Sequence, residues 1–417
     1  MAPSSTPISE AKPIPEILSP AGDMTCLQAA LDAGADAVYL GLESFNMRVG
    51  ATRNFTRETL PEASARCRAR GVKLYLTLNS LVYENELAAV RDEIAFAKPF
   101  ADAAIVADWA VAQACVAESV PFHVSTQMSC SNSAAAKFLV AQGAARIVLA
   151  RECSLDEIGA IAKEIAPAQI EVFVHGAMCV AVSGRCLLSH DAYGFSASRG
   201  ECRQPCRRRF RIRELDEGDG AVAEFTVEPH AVLSARDLCS LPFLDKLAAA
   251  GAGSFKIEGR ARNPEYVATV TRAYKRAVLA IADGSWSAAL AESLVAECAK
   301  TYHREFGCGL YHGRPGAKQM TSDDENHATE KKSHSGIVMN YYKRTKAAQV
   351  MIQDKELRVG DRISIQGPAT GVAELTVESL RRDDETPAIA ERGKWVTIPC
   401  RPTVRKNDKV FLVVKAS

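Results

Sequence analysis

The residues best equipped for chemistry lie between Glu171 and Arg213, in the run EVFVHGAMCVAVSGRCLLSHDAYGFSASRGECRQPCRRRFRIR. Behind a β-branched, apolar stretch at Ile170–Val174 come Cys179, Cys186, Cys202 and Cys206, spaced C-x6-C-x15-C-x3-C. Glycines at 176, 184, 194 and 200 let the backbone wrap closely around a compact group. Four thiolates in one loop form a metal-ligand set. A structural zinc ion usually takes two short knuckles, and only the pair Cys202 and Cys206 is that tight. The spread first pair suits an iron–sulfur cluster loop, and spacing alone leaves cluster, zinc and unliganded buried thiols open. Cys239, in the downstream run LSARDLC, rivals Cys206 as the fourth ligand.

Other groups accompany the cysteines. His175 directly follows the apolar stretch, where it could donate a proton, hold a substrate or sit oriented in the core. Arg203, Arg207, Arg208, Arg209, Arg211 and Arg213 crowd the end of the loop and could meet phosphates or an anionic small molecule. A solvated basic strand paired with Glu214, Asp216 and Glu217 explains them equally well. Lys256, Glu258 and Arg260 alternate along FKIEGR at the end of another apolar stretch.

The elements that position these residues repeat as a short apolar strand followed by an alanine-rich helix. Strands are expected at 16–19, 37–42, 73–79, 103–107, 122–125, 146–150, 170–174 and 254–257. Between them, Leu27, Leu31 and Ala35, or Leu87, Val90, Ile94 and Ala97, recur at helical spacing. Continuous apolar strands separated by helices imply parallel pairing buried on both faces, and eight such units imply a closed (β/α)8 TIM-type barrel. An open doubly wound sheet would need a glycine-rich phosphate turn after the first strand, and PAGDMTC is not one. In a barrel, chemistry belongs at the C-terminal strand ends, here Asp23, Glu43, Asn79, Asp108, Gln127, Arg151, His175 and the Lys256, Glu258, Arg260 group. The cysteine loop follows the seventh strand, so its site would cover the barrel mouth. A helix is expected from Asn263 to Ala282, with Tyr266, Val270, Tyr274 and Val278 on one face.

The run from Glu171 to Cys206, together with SPAGD at Ser19–Asp23, AGADAVYLG and FKIEGR, closely resembles the peptidase U32 family, historically called collagenase-like proteases. The resemblance spans about residues 14–312. It implies more than a peptidase, because several members are oxygen-independent hydroxylases carrying a [4Fe-4S] cluster. They act on the wobble uridine of tRNA, with prephenate as hydroxyl donor, on 23S rRNA cytidine, or in anaerobic ubiquinone synthesis. The tRNA-acting branch fits best, since this chain appends one small domain rather than a large one and is longer than the quinone-pathway members. On that resemblance Cys179, Cys186, Cys202 and Cys206 would bind the cluster, and Lys256 and the arginines, including Arg207, Arg208 and Arg209, would hold RNA phosphate or the carboxylates of a prephenate-like donor. Cluster-assembly proteins are implied partners.

The chain of 417 residues is 47% hydrophobic and 24% charged, enough for one large domain plus a small one. A net charge of +1 advertises no global field for nucleic acid. No run of 18 apolar residues occurs, and the start, MAPSSTPISEAKP, lacks an apolar signal segment. With 13 cysteines scattered through apolar segments as well as clustered, the expectation is a cytoplasmic, membrane-free protein. The organisation expected is a disordered N-terminus over 1–13, a catalytic barrel over 14–313 with the cluster loop at 175–213, a polar linker over 314–334 and a C-terminal domain over 335–417. A β-hairpin insertion is expected over 212–227, around Gly218–Gly220. In the last domain, alternating strands at 336–339, 347–352, 362–365, 373–379, 395–398 and 409–414 imply a small antiparallel β-barrel, for RNA docking or for packing.

Three functions follow: an RNA hydroxylase, a peptidase using Cys179 with His175 as its base, or an RNA-binding scaffold around a structural metal. No HEXXH zinc site and no GXSXG serine elbow occurs in the sequence.

Overall fold

The computed structural model describes residues 14–50, 52–165, 170–208, 233–313, 320, 321, 323 and 325–416. Seven parallel strands, β1 (Glu16–Pro20), β2 (Ala37–Leu40), β3 (Lys73–Leu78), β4 (Ala103–Val106), β5 (Phe122–Val124), β6 (Ala144–Val148) and β7 (Ile170–Gly176), pair in chain order. After the short strand β8 (Asp237–Cys239) comes β9 (Ser254–Ile257), which pairs in parallel with both β7 and β1 and closes the barrel. Each of the eight barrel strands lies within two residues, at either end, of the stretch its sequence marks. Burial on both faces is the cause. It demands runs such as AVYL and SFKI, all of whose residues are buried.

The surrounding helices begin at strand ends, where capping groups set their first turn. The Asp23 side chain accepts from the Cys26 amide at 2.9 Å, and that of Asp108 from the Ala110 amide at 2.8 Å. Both strand-end carboxylates are therefore helix caps. The helix Pro264–Asp283 starts after Asn263 and buries Tyr266, Val270, Tyr274 and Val278 against the barrel. Each such side chain stabilises the fold by about 1.5–3 kcal/mol through removal of apolar area from water.

Strand β8 runs antiparallel to the end of β7, with His175 opposite Cys239, and β10 (Phe306–Gly307) lies parallel beside β8. The hairpin expected over 212–227 lies outside the described residues.

The C-terminal region is a six-stranded antiparallel sheet in the order 371–376, 362–367, 409–415, 330–342, 347–352, 395–399. Val338, Val350, Ile365, Val396, Ile398 and Val410 are fully buried in a core separate from that of the barrel. The strand Glu330–Tyr342 begins well before Gly336, because its lysine-rich start pairs with Lys409–Lys415 rather than showing an apolar pattern. The sheet packs on the outer wall of the barrel. Lys332 Nζ bonds Glu265 at 2.8 Å, and Gly371, with a φ of +63°, brings its backbone so close to Gln28 and Ala29 that a Cβ would lie 3.1 Å from the Ala29 nitrogen.

Candidate functional site: a cationic cavity under the cysteine loop

Two polar layers occupy the barrel interior. In the lower one, near the strand starts, Arg146 bonds Glu16 at 2.5 Å and Glu171 at 3.2 Å, while Lys256 Nζ bonds Glu171 at 2.9 Å. Burial would raise the pKa of Glu171, but Lys256, Arg146 and the further groups around it outweigh that and hold it at about 2. Burial lowers the pKa of Lys256, with Glu171 opposing. The ammonium lies 4.7 Å from the centre of the Tyr39 ring.

The upper layer opens into a cavity of about 160 Å³ at the strand ends. Cys179, Cys186, Cys202 and Cys206 all line it, together with Lys256, Glu258 and Arg260, which share one face of the chain through their alternation. Arg151, Asn79 and Gln127 join them from other strand ends. Among the described residues, Glu258 is the one carboxylate lining this cavity, against Arg48, Arg151, Arg207, Lys256 and Arg260. Burial pushes Glu258 toward the neutral form, yet Arg48, whose Nη2 donates to it at 3.0 Å, and Arg262 and Arg151 hold it below the usual carboxylate range. Arg260 donates to Asn46 at 3.0 Å and to Thr77 at 2.8 Å, and burial lowers its pKa to about 10. Arg151 lies 3.9 Å above the Phe173 ring and donates to the Ala177 carbonyl at 2.8 Å. The buried Nε atoms of Arg151, Arg207 and Arg260 have no hydrogen-bond partner. Lys256 is matched by Glu171 and Arg48 by Glu258, so Arg151, Arg207 and Arg260, whose buried Nε donors are unused among the described residues, make a site for an anion.

Several expected residues sit elsewhere. His175 does not line the cavity. A β-bulge in β7, where Phe173 pairs with Lys256 but His175 with Ile257, turns the imidazole outward, so that Nδ1 meets the Tyr274 hydroxyl at 3.3 Å within a ring of Tyr266, Tyr274 and Phe306. Burial lowers its pKa to about 3, which keeps it neutral near pH 7. Cys239 is buried in the barrel core, its thiol raised to about 11 by burial, and it does not line the cavity, whereas Cys206 does. Arg207 turns inward rather than toward solvent, donating to the Ala235 carbonyl at 2.8 Å and to that of Met178. Arg208 is exposed, 5.1 Å from the centre of the Tyr193 ring, and Arg209 lies outside the described residues. Arg48, Tyr39 and Thr77 were not singled out by sequence. Arg48 sits in an irregular loop where no periodicity marks it, while Tyr39 and Thr77 look like ordinary strand interior.

The cysteine loop fits a polynuclear group. Around one zinc ion, with Zn–S bonds of about 2.3 Å, four sulfurs lie within about 4 Å of each other. Among the described residues no three cysteine sulfurs lie within 4.8 Å of one another. The four cysteines are thus not gathered as the tetrahedron of a single ion, though all line one cavity.

The sequence profile of peptidase family U32 matches residues 22–321. The chain belongs to this family. Among its relatives, a collagenase of Porphyromonas gingivalis is 38% identical over 407 residues, covering 95% of this chain and 97% of that protein. A tRNA hydroxylation protein of Bacillus subtilis is 34% identical over 380 residues, covering 89% and 87%. A 23S rRNA 5-hydroxycytidine synthase of Escherichia coli is 36% identical over 296 residues, covering 69% of this U32 chain and 44% of the synthase. Among the described residues, no helix of this U32 protein is long and apolar enough to cross a membrane.

Proposed function

We propose that this U32 protein is an RNA hydroxylase, acting on the wobble uridine of tRNA with prephenate as hydroxyl donor and a [4Fe-4S] cluster held by Cys179, Cys186, Cys202 and Cys206. The observation that carries this reading is the meeting of two chemistries in one cavity, four thiols on its roof and a surplus of guanidinium groups on its walls. Relatives named for tRNA and rRNA hydroxylation support RNA as the substrate class. In this role the cluster supplies one-electron chemistry. Arg151, Arg207 and Arg260 bind the carboxylates of the donor with hydrogen bonds to charge, each worth about 1.5–3 kcal/mol. Arg48 fixes Glu258 as a carboxylate facing the donor, and Glu171 holds the Lys256 ammonium upright beneath it.

The collagenase relative favours a peptidase as the second reading. A cysteine peptidase needs a base beside its thiol, and His175 is enclosed by aromatic rings and bonded to Tyr274 instead.

Purification without oxygen, with iron, sulfide and zinc measured per chain, tests the proposal. About four irons and four sulfides are expected. Cys179→Ala and Cys206→Ala should lose most of that iron and, in cells that depend on this protein, the 5-hydroxyuridine derivatives of tRNA. Cys239→Ala should keep both. Stoichiometric zinc without iron, or iron lost through Cys239→Ala and retained in Cys206→Ala, would overturn the assignment.

A further inference from the structure

A second compartment lies against the first. It has a volume of about 510 Å³, and the two share Met47, Asn79, Gln127, Ser183, Gly184 and Cys186 among their lining residues. Gly184 makes this partition thin. Its φ is +81°, and a Cβ there would lie 2.9 Å from Met47 Cε and 3.2 Å from Gln127 Cγ, so only glycine lets the cysteine loop close down at this point.

The two compartments differ in charge. The first has five cations and one carboxylate. Among the described residues, the second has no carboxylate, and Arg185 is its one permanently charged side chain. Its remaining walls are Leu81, Ala107, Leu187, the His190 imidazole and small groups such as Ser196 and Ser198, with the side-chain amides of Asn79 and Gln127 on the partition. Those amides have spare donors. Asn79 Nδ2 reaches Ser125 Oγ and Gln127 Oε1 only at 3.5 Å each, and Gln127 Nε2 has no partner among the described residues. Leu187 is 71% exposed and Leu81 47% exposed, so the compartment has an apolar rim open to solvent.

An anion would lose charge pairing by entering the second compartment, whereas an uncharged heteroaromatic ring in the first would leave Arg151, Arg207 and Arg260 without an anion. Each compartment thus selects a different reactant. We propose that the second compartment seats the ring of an unpaired pyrimidine nucleotide of RNA, splayed from its neighbours. The amide donors of Asn79 and Gln127 read the ring carbonyls, Leu81 and Leu187 cover its faces, and Arg185 meets the flanking phosphate. The inference rests on the RNA-hydroxylase reading and specifies its substrate pocket. It places the ring against the partition that carries Cys186, across which the anionic reactant sits.

The test uses the full chain and a short stem–loop RNA with a single 4-thiouridine in its loop. Photo-crosslinking followed by peptide mapping should place the thiouridine on the segments around 79–81 and 183–187. In the variant combining Asn79→Leu and Gln127→Leu, crosslinking at those segments should fall about tenfold, the loss of about 1.4 kcal/mol. RNA affinity overall should change by less than about threefold, because phosphate contacts dominate it. Binding with crosslinks mapped to the C-terminal sheet or the outer barrel would overturn the pocket and leave the RNA-hydroxylase reading intact. Absence of RNA binding at low salt would remove that reading and the pocket with it. Mapping on the unaltered protein does not depend on how the variant folds.

Discussion

The floor and the mouth of this barrel use the same residue types to opposite ends. At the floor, Glu16 and Glu171 bond Arg146 and Lys256, and Lys73 reaches Glu16 at 3.4 Å, so each of these cations has a carboxylate beside it. At the mouth, Arg151, Arg207 and Arg260 each keep a buried nitrogen without a partner among the described residues, while Glu258 is held by Arg48. Buried charge that is matched holds a structure in register. Unmatched buried charge, being costly, marks a place where a ligand completes the pairing.

The sharpest break in that comparison comes from removing one floor carboxylate. Glu171→Ala strands Lys256, while Arg146 keeps Glu16, and should cost about 3–5 kcal/mol in urea unfolding. Arg151→Met at the mouth strands no acid. It should change stability by less than about 1 kcal/mol, while weakening binding of a dicarboxylate at least about tenfold by calorimetry. Equal stability losses for the two variants would end the distinction.

Acid gives an intermediate effect. His123, beside Tyr75 at the floor, and His175 both have pKa values lowered to about 3, chiefly by burial. Their folded values lie below the unfolded value of about 6.5, so the unfolded chain binds more protons once pH drops beneath that value. Stability should therefore be lost as pH falls from about 6.5 toward 3, by about 2 kcal/mol per histidine at pH 5. His175→Leu should reduce the drop between pH 7 and pH 5 by about half of the two histidines' joint share. Glu171 adds a further loss only below about pH 4, as its carboxylate is protonated on the way to pH 2. The smallest effect belongs outside the barrel. Arg208→Ser should leave unfolding unchanged and reduce the salt slope of tRNA binding by about one.

The barrel was legible because strands buried on both faces leave unbroken apolar runs that helical periodicity interrupts. Lys256, Glu258 and Arg260 were expected together at the end of the eighth strand, and all three line the cavity. His175 was misplaced for a local reason: a single extra residue in β7 reverses which side it faces, and a bulge leaves no mark in composition. Strand β8, three residues long, is too short for any pattern. It removes Cys239 from the loop by pairing it into the sheet. Arg207 belonged to a basic run that looked solvent-facing, yet backbone carbonyls of Met178 and Ala235 draw it inward. Arg48 and the thin partition at Gly184 depend on contacts between distant loops, which a single chain does not display.

The pairing of His175 with Cys239 also bears on how this protein could diversify. Because the ends of the excursion between them are hydrogen-bonded side by side, the chain leaves and re-enters the barrel wall at one place. Closing a longer loop costs only about 0.6 kcal/mol per doubling of length. Changes within the described part of that loop, 177–208, can therefore retune what the cavity admits, while the eight strands beneath keep their register.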